Sequence, residues 1–205
     1  MSSGEPVPYA QALPVAEELR DLLAAACEQI VIAGSLRRRK QLVSDIELVA
    51  EPRYREEPSG LWGDTTRVDM LAEAIARLHP ALVPRPVTLH RADGSEEVQM
   101  RDGPSYKALE YRGMPVDLFI ARPAEGGADY GVILTIRTGP ADFSHRLVTD
   151  CQRWFSQVKG GRLYVHGSYV PCPAERDFFA EIGMPWLEPE ERAPERVKLM
   201  MGGPA

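Results

Sequence analysis

The residues best suited to chemistry begin at a short glycine–serine turn. Gly34 and Ser35 follow an apolar run and precede the basic run 37–40. Glycine lets the backbone approach a ligand closely, and the free N–H groups at the start of a helix attract phosphate. The Ser35 hydroxyl and the Arg38 guanidinium add donors that suit phosphate oxygens. The spacing therefore predicts a phosphate-binding turn at residues 34–38.

Acidic residues form the second candidate feature. Asp45 and Glu47 are separated by one residue in a segment that alternates polar and apolar side chains. Residues i and i+2 of a strand share a face, so the two carboxylates lie side by side and repel each other unless a cation lies between them. Asp117 stands in the apolar run 116–120, where a buried acid needs a partner. If the two strands are neighbours, three carboxylates meet, and such hard oxygen ligands favour Mg²⁺ or Mn²⁺.

The elements that have to position these residues are predicted from periodicity and turn signals. Residues 13–29 have helical spacing, 30–33 and 45–50 are strand-like, 51–64 contain turn formers typical of a loop, and 68–78 are helical again. Two hairpins are expected, one around Asp93-Gly94 and one around residues 112–114. Helical patterns return at 130–136 and 142–155, followed by short strands and a short helix at 174–182.

Composition limits the class of protein. The chain has 205 residues, with 24 Lys and Arg against 30 Asp and Glu, a formal net charge of −6. No apolar run is long enough to cross a membrane, no secretory signal is recognisable, and the three cysteines are widely spaced. We therefore expect a cytoplasmic monomer without membrane contact, and the acidic balance argues against a protein that coats nucleic acid by charge alone.

The ordered set of motifs resembles that of a known family. Gly34-Ser35-Leu36-Arg37-Arg38, then Asp45-Ile46-Glu47 starting 11 positions after the glycine, then Pro115-Val116-Asp117-Leu118 are similar to the GS-x-R-R, D-x-D and V-D motifs of family X DNA polymerases, the polymerase beta-like nucleotidyltransferases. The resemblance continues through a helix that ends in Thr138-Gly139. It then runs through residues 177–192, where a helix and an aromatic precede P-x-x-R, so it covers about residues 13–196.

The resemblance implies a fold, an activity and a set of residue roles. The fold would be α+β, with a flexible tail at 1–12, a palm with a mixed sheet and flanking helices at 13–140, and a small α+β thumb at 141–205. The activity would be template-directed addition of a nucleotide to a DNA 3′-hydroxyl with release of pyrophosphate, in a setting such as gap-filling repair. The partners would be a nucleoside triphosphate and a primer–template or gapped DNA. Two Mg²⁺ ions, replaceable by Mn²⁺, would be held by Asp45, Glu47 and Asp117. Gly34, Ser35, Arg38, Ser44, Thr138 and Gly139 would bind the nucleotide.

Three departures from the family pattern bear on this expectation. Glu47 replaces the second aspartate, and its extra methylene shifts the carboxylate by about 1 Å. Ile136-Arg137 replaces the family's aromatic pair, which discriminates between deoxyribose and ribose in the incoming nucleotide. The resemblance therefore predicts weak selection against ribonucleotides. The lyase and helix-hairpin-helix domains of larger members are absent, so the chain resembles a minimal palm–thumb form.

Alternatives remain open at this point. The acceptor is either DNA or another molecule, such as a tRNA, a small molecule or a protein. The chain is either active or an impaired homologue that only binds nucleotides, for which Glu47 is the best support. Arg37, Arg39 and Lys40 are either DNA contacts or ordinary surface residues.

Overall fold

The computed structural model describes residues 5–59, 64–91, 93–151 and 156–201. Within these ranges the chain forms seven α-helices and fourteen β-strands. The helices are α1 (Tyr9–Ala24), α2 (Gly34–Arg37), α3 (Met70–Arg77), α4 (Tyr130–Thr138), α5 (Ala141–Cys151), α6 (Glu175–Glu181) and α7 (Pro194–Met201). The strands are β1 (Val7–Pro8), β2 (Cys27–Ile32), β3 (Leu42–Val43), β4 (Ile46–Pro52), β5 (Tyr54–Ser59), β6 (Asp64–Asp69), β7 (Leu82–Pro84), β8 (Pro86–His90), β9 (Glu96–Met100), β10 (Tyr106–Tyr111), β11 (Met114–Ile120), β12 (Ser156–Lys159), β13 (Arg162–Val165) and β14 (Ser168–Val170). None of the described helices has the length and apolar character needed to span a membrane.

A five-stranded mixed sheet positions the acidic residues. Its strand order is β2-β4-β11-β10-β7, and β4 and β11 run parallel at its centre while the other neighbours are antiparallel. In the parallel register Glu47 is the partner of Asp117. The expectation that the Asp45 and Asp117 segments become neighbouring strands is thus confirmed.

The two faces of this sheet pack against different helices, and successive side chains of a strand point to opposite faces. Ile46, Leu48 and Ala50 of β4 join the large core that contains the buried face of α1 and Leu71 of α3. Val49, between them, belongs instead to a smaller cluster with residues of α4. Glu47 alternates with its apolar neighbours in the same way, so it projects on the face that α4 covers.

The first residues of the chain belong to the fold. Val7 and Pro8 pair with β3, and α1 begins at Tyr9 because Ala12, Ala16, Leu19 and Leu23 recur at helical spacing and are buried. The predicted loose tail over residues 1–12 is therefore wrong from Val7 onward. Residues 1–4 lie outside the described ranges.

A hairpin occupies most of the segment predicted as a loop. β5 and β6 pair over six residues, and Arg55 donates to both carboxylate oxygens of Glu73 at 2.8 Å. The guanidinium of Arg67 lies 3.5 Å from the ring centre of Tyr54. These polar contacts, rather than an alternating apolar pattern, hold the hairpin together, and for that reason periodicity missed it.

The second half of the chain builds its own cluster of buried side chains. Phe143 and Leu147 of α5 and Phe178 and Phe179 of α6 pack with residues of the three-stranded sheet β12-β13-β14. Val132 of α4 also belongs to this cluster, whereas Leu134 packs toward the five-stranded sheet. The α+β fold class is confirmed, and a domain boundary at residue 140 stays a prediction.

We expect Leu48→Ala to lower the free energy of unfolding by about 2–5 kcal/mol, because the side chain is 0% exposed in the central strand β4 and its loss leaves a cavity. Leu42→Ala is the matched control, since Leu42 is 61% exposed and its truncation should change stability by about 0.5 kcal/mol or less. Urea denaturation of both variants measures the difference, and equal effects would contradict the described burial.

Candidate active site

Three predicted acidic residues meet on the α4 face of the five-stranded sheet. Asp45 immediately precedes β4, Glu47 is the second residue of β4, and Asp117 lies opposite Glu47 in β11. Asp117 is buried, and Asp45 and Glu47 are half-buried. The local alternation and the parallel pairing together bring these carboxylates into one site.

The electrostatics of this acid cluster favour the protonated forms of Asp45 and Glu47. Burial, followed by the charge of Asp117, raises the pKa of Asp45 above its usual range. Burial, followed by the charge of Asp45, raises the pKa of Glu47 to about 7, although Arg137 and Arg38 act in the opposite direction. Like charges that are buried together are stabilised by a proton or by a cation, so the cluster has a deficit of positive charge.

Asp117 is held by two residues that sequence reasoning missed. The buried Arg85 donates from Nη2 to Asp117 Oδ1 at 2.6 Å, and Tyr106 donates from its hydroxyl to the same oxygen at 2.8 Å. Arg85 also donates from Nε to the Leu109 carbonyl at 3.1 Å. It lies just before β8, 32 positions from Asp117, and no local pattern in the sequence indicates this contact.

The acid cluster fits a divalent cation by the chemistry of its donors. The charge of Asp117 raises the pKa of Asp45, and the charge of Asp45 raises the pKa of Glu47, so these carboxylates lie close enough to form a hard, oxygen-rich set of the kind that Mg²⁺ and Mn²⁺ prefer. As placed, however, no group of three or more acidic, histidine or cysteine side chains among the described residues stands ready to enclose a metal ion. Arg85 accounts for part of this, because its cationic group already engages Asp117.

The glycine–serine turn lies directly against the acid cluster. Gly34 has a φ of +61°, and a Cβ atom there would fall 1.8 Å from Glu47 Oε2, so only glycine fits this turn without displacing the carboxylate. The helix α2 that follows is a single turn, which gives it little dipole of its own. Ser35 Oγ and Arg38 Nε are buried and have no hydrogen-bond partner among the residues that the structure describes. Buried donors of this kind are normally satisfied, so the turn is suited to an anionic ligand.

The end of α4 approaches the same turn. Arg38 donates from Nη1 to the Thr138 carbonyl at 2.7 Å, and Arg37 donates from Nη1 to Thr138 Oγ1 at 2.6 Å. Gly139 has no room for a side chain, because a Cβ would lie 2.4 Å from the Phe143 ring. Ser44 lies in the bend before Asp45. The structure thus gathers the predicted nucleotide-binding residues around the acid cluster, and their binding of a nucleotide stays a prediction.

A buried ion-pair network connects the turn to the C-terminal half. Arg37 donates from Nη2 to Glu175 Oε2 at 2.6 Å, and Arg192 donates from Nη1 to Glu175 Oε1 at 2.7 Å. The side chains of Glu175 and Arg192 are 4% and 0% exposed. Arg37 therefore has a structural contact that neither of the alternatives drawn from the sequence included. Arg39 forms an exposed pair with Glu190 at 3.0 Å.

Arg137 completes the surroundings of the cluster. Its guanidinium lies 3.9 Å from the ring centre of Phe119, which follows Asp117 by two positions and so shares its face of β11. Burial lowers the pKa of Arg137, while the charges of Glu47 and Asp117 raise it. Arg137 also lines a cavity of about 530 Å³ beside the acid cluster, together with Tyr106, Phe119 and Arg101.

Comparison with known proteins gives one match. The family model described as the DNA polymerase beta thumb matches residues 133–193, which include the end of α4, Glu175 and Arg192. No curated protein matches the chain. The match supports a relationship to polymerase beta-like nucleotidyltransferases for this segment, and the acid cluster lies outside it.

The raised pKa of Glu47 predicts how stability depends on pH in the absence of metal. Between about 4.5 and about 7 the folded chain binds a proton that the unfolded chain has released, so the free energy of unfolding falls as the pH rises through this window. We expect Glu47→Gln to reduce the change in the free energy of unfolding over that pH range by about 1–3 kcal/mol. Urea denaturation in EDTA at several pH values measures this change, and Glu56→Gln, at an exposed position of β5, is the control. Unchanged profiles in Glu47→Gln would contradict the proposed burial of this charge.

Glu175→Gln tests the buried network. The substitution leaves two arginines without their shared carboxylate, and we expect a loss of about 3–5 kcal/mol in the free energy of unfolding. The same change at Glu190, which pairs with Arg39 in solvent, should cost about 1 kcal/mol or less. Similar losses at both positions, measured by denaturant titration, would rule out a special contribution from the network.

Proposed function

We propose that this chain is a nucleotidyltransferase that adds a nucleotide to a DNA 3′-hydroxyl under the direction of a template, with release of pyrophosphate. The observation that carries the proposal is the meeting of Asp45, Glu47 and Asp117 next to unpartnered donors of Ser35 and Arg38. The likeness of residues 133–193 to a DNA polymerase thumb supports a nucleic acid as the acceptor.

The residues of the glycine–serine turn would bind the triphosphate. Ser35 Oγ and Arg38 Nε supply donors that lack partners within the described ranges, and the guanidinium of Arg38 adds a positive charge. Gly34 keeps this side of the site open, because any side chain at position 34 would meet the Glu47 carboxylate. Thr138 fixes the turn to the end of α4 through Arg37 and Arg38, so that donors and acids keep a constant separation.

The acidic residues would serve the reacting oxygen and the cation. Asp45, Glu47 and Asp117 would hold two Mg²⁺ ions, or Mn²⁺ in their place, and these supply Lewis-acid stabilisation of the charge that develops on the phosphates. Asp117 Oδ1 is fixed by Arg85 and Tyr106, which leaves Oδ2 as the oxygen that can accept the proton of the 3′-hydroxyl. Because both contacts are short, the carboxylate is oriented before the acceptor arrives.

A second candidate is a nucleotide-binding homologue without transfer activity. The contact between Arg85 and Asp117 favours it, since the guanidinium already occupies one oxygen of a residue that would hold metal. This chain would bind a nucleoside triphosphate through Ser35 and Arg38 and would release no pyrophosphate. An active nucleotidyltransferase could also use an acceptor other than DNA, and the acidic net charge of −6 favours such an acceptor.

Primer extension on gapped DNA with labelled dNTPs and Mg²⁺ or Mn²⁺ tests the proposal. We expect addition of the complementary nucleotide by the natural chain and a loss of at least about 100-fold in Asp45→Asn and Asp117→Asn, because each removes a charge from the acid cluster. Glu56→Gln, an exposed acid, is the matched control and should extend normally. Ribonucleotides should be used with little discrimination, as the Ile136-Arg137 pair predicts.

Three results would decide against the proposal. An unextended primer with both metals would exclude a DNA acceptor. Nucleotide binding without pyrophosphate release would identify the binding homologue instead. Extension by Asp117→Asn at the natural rate, in a variant shown to be folded by its thermal transition, would separate the acid cluster from the reaction.

A further inference from the structure

Arg137 is a half-buried cation on the wall of the cavity. Its Nε atom is buried and has no hydrogen-bond partner among the described residues, and its guanidinium contacts the Phe119 ring. The neighbouring arginines differ, because Arg37, Arg38 and Arg85 all donate to oxygens of the protein. Buried N–H donors are normally satisfied, and an unpartnered one such as Arg137 Nε indicates a missing acceptor, for example an anion.

The cavity that Arg137 lines has the size and chemistry of a small-ligand site. It measures about 530 Å³ and lies between β8, strands β10 and β11 of the five-stranded sheet, α4 and the turn after β12. Leu89, Ile133 and Tyr106 provide apolar and aromatic wall, whereas Arg101 and Arg137 provide positive charge. Cavities of roughly 300–1,000 Å³ with mostly apolar walls and a few polar groups commonly bind small molecules or cofactors.

We propose that this cavity binds a nucleoside monophosphate unit, with the phosphate on Arg137 and the base against the apolar wall. A phosphate supplies the oxygens that the Arg137 guanidinium lacks, and a flat base suits a wall that contains an aromatic ring. This inference deepens the proposed function and rests on it for the choice of a nucleotide. The unit is either the terminal nucleotide of the acceptor strand or a free mononucleotide, which share this chemistry.

A purely structural role for Arg137 makes a different prediction. In that role the guanidinium, which stacks on Phe119 on the sheet face that carries Glu47 and Asp117, would balance the charge of these acids and bind no ligand. In that case its replacement changes the stability of the chain and leaves ligand binding unaffected. The two roles are therefore separable by a binding measurement made without metal.

Calorimetric titration with adenosine 5′-monophosphate in EDTA is the test. We expect Arg137→Gln to weaken binding by about 10- to 100-fold, and Arg137→Lys to recover part of it because the charge returns without the planar fork. Adenosine, which lacks the phosphate, should bind the natural chain and Arg137→Gln equally. Arg91→Gln is the matched control, since Arg91 is exposed near the tip of the β8–β9 hairpin and pairs with Glu97.

Two further measurements identify where the monophosphate binds and which molecule it stands for. Ser35→Ala should leave monophosphate binding unchanged, whereas equal weakening by Ser35→Ala would place the ligand at the triphosphate turn and overturn the inference. Displacement of the monophosphate by a short single strand with a 3′-hydroxyl identifies the acceptor end as its occupant, and no displacement identifies a free mononucleotide. Monophosphate affinity that is unchanged in folded Arg137→Gln, or absent in the natural chain, would also overturn the inference, whether or not primer extension succeeds.

Discussion

The buried carboxylate of Glu175 is the constraint on which the candidate site depends. It accepts from Arg37, which follows the glycine–serine turn, and from Arg192, which is fully enclosed among aromatic rings of the C-terminal half. An ion pair inside a protein is stabilising only when it is complete, because an unpaired buried charge is very costly. The Glu175 ion pairs and the contact of Arg37 with Thr138 therefore fix the glycine–serine turn, the end of α4 and the start of α6 relative to one another. In this region the two halves of the chain are joined by buried contacts.

The acid cluster extends the same principle of charge balance. Arg85 engages Asp117 directly, Arg38 and Arg137 oppose the raised pKa of Glu47, and each of these cations comes from a different element. A divalent cation bound by these acids would have to share Asp117 with Arg85, so its affinity would be lower than at three free carboxylates. In the absence of a metal, Asp117 is paired with Arg85, whereas the raised pKa values of Asp45 and Glu47 favour their protonated forms. The chain carries a net charge of −6, yet cations are concentrated where phosphates would lie.

Local patterns in the sequence predicted the parts of this fold that have local causes. The hairpin at Asp93-Gly94 formed because its turn residues select that connection, and the acids met because alternation places Glu47 and Asp117 on one face. The hairpin β5–β6 escaped prediction because its strands are polar and depend on contacts with α3. The partners of Asp117 and Arg37 lie 32 and 138 positions away, and no periodicity marks such pairs. The contacts and distances in the candidate site could therefore be obtained only from the structure, whereas the three acids could be selected as candidates from the sequence.

The glutamate at position 47 shows how such a chain accommodates a departure from its motif. A longer side chain needs space for its carboxylate, and that space exists because residue 34 has no Cβ and adopts a left-handed backbone conformation. Glu47 Oε2 lies where a side chain of residue 34 would begin, so the two positions constrain each other across the turn. The extra methylene consequently places the carboxylate against the glycine–serine turn. Gly34 thus provides both the backbone turn and the room for the acid, and a replacement there would disturb both at once.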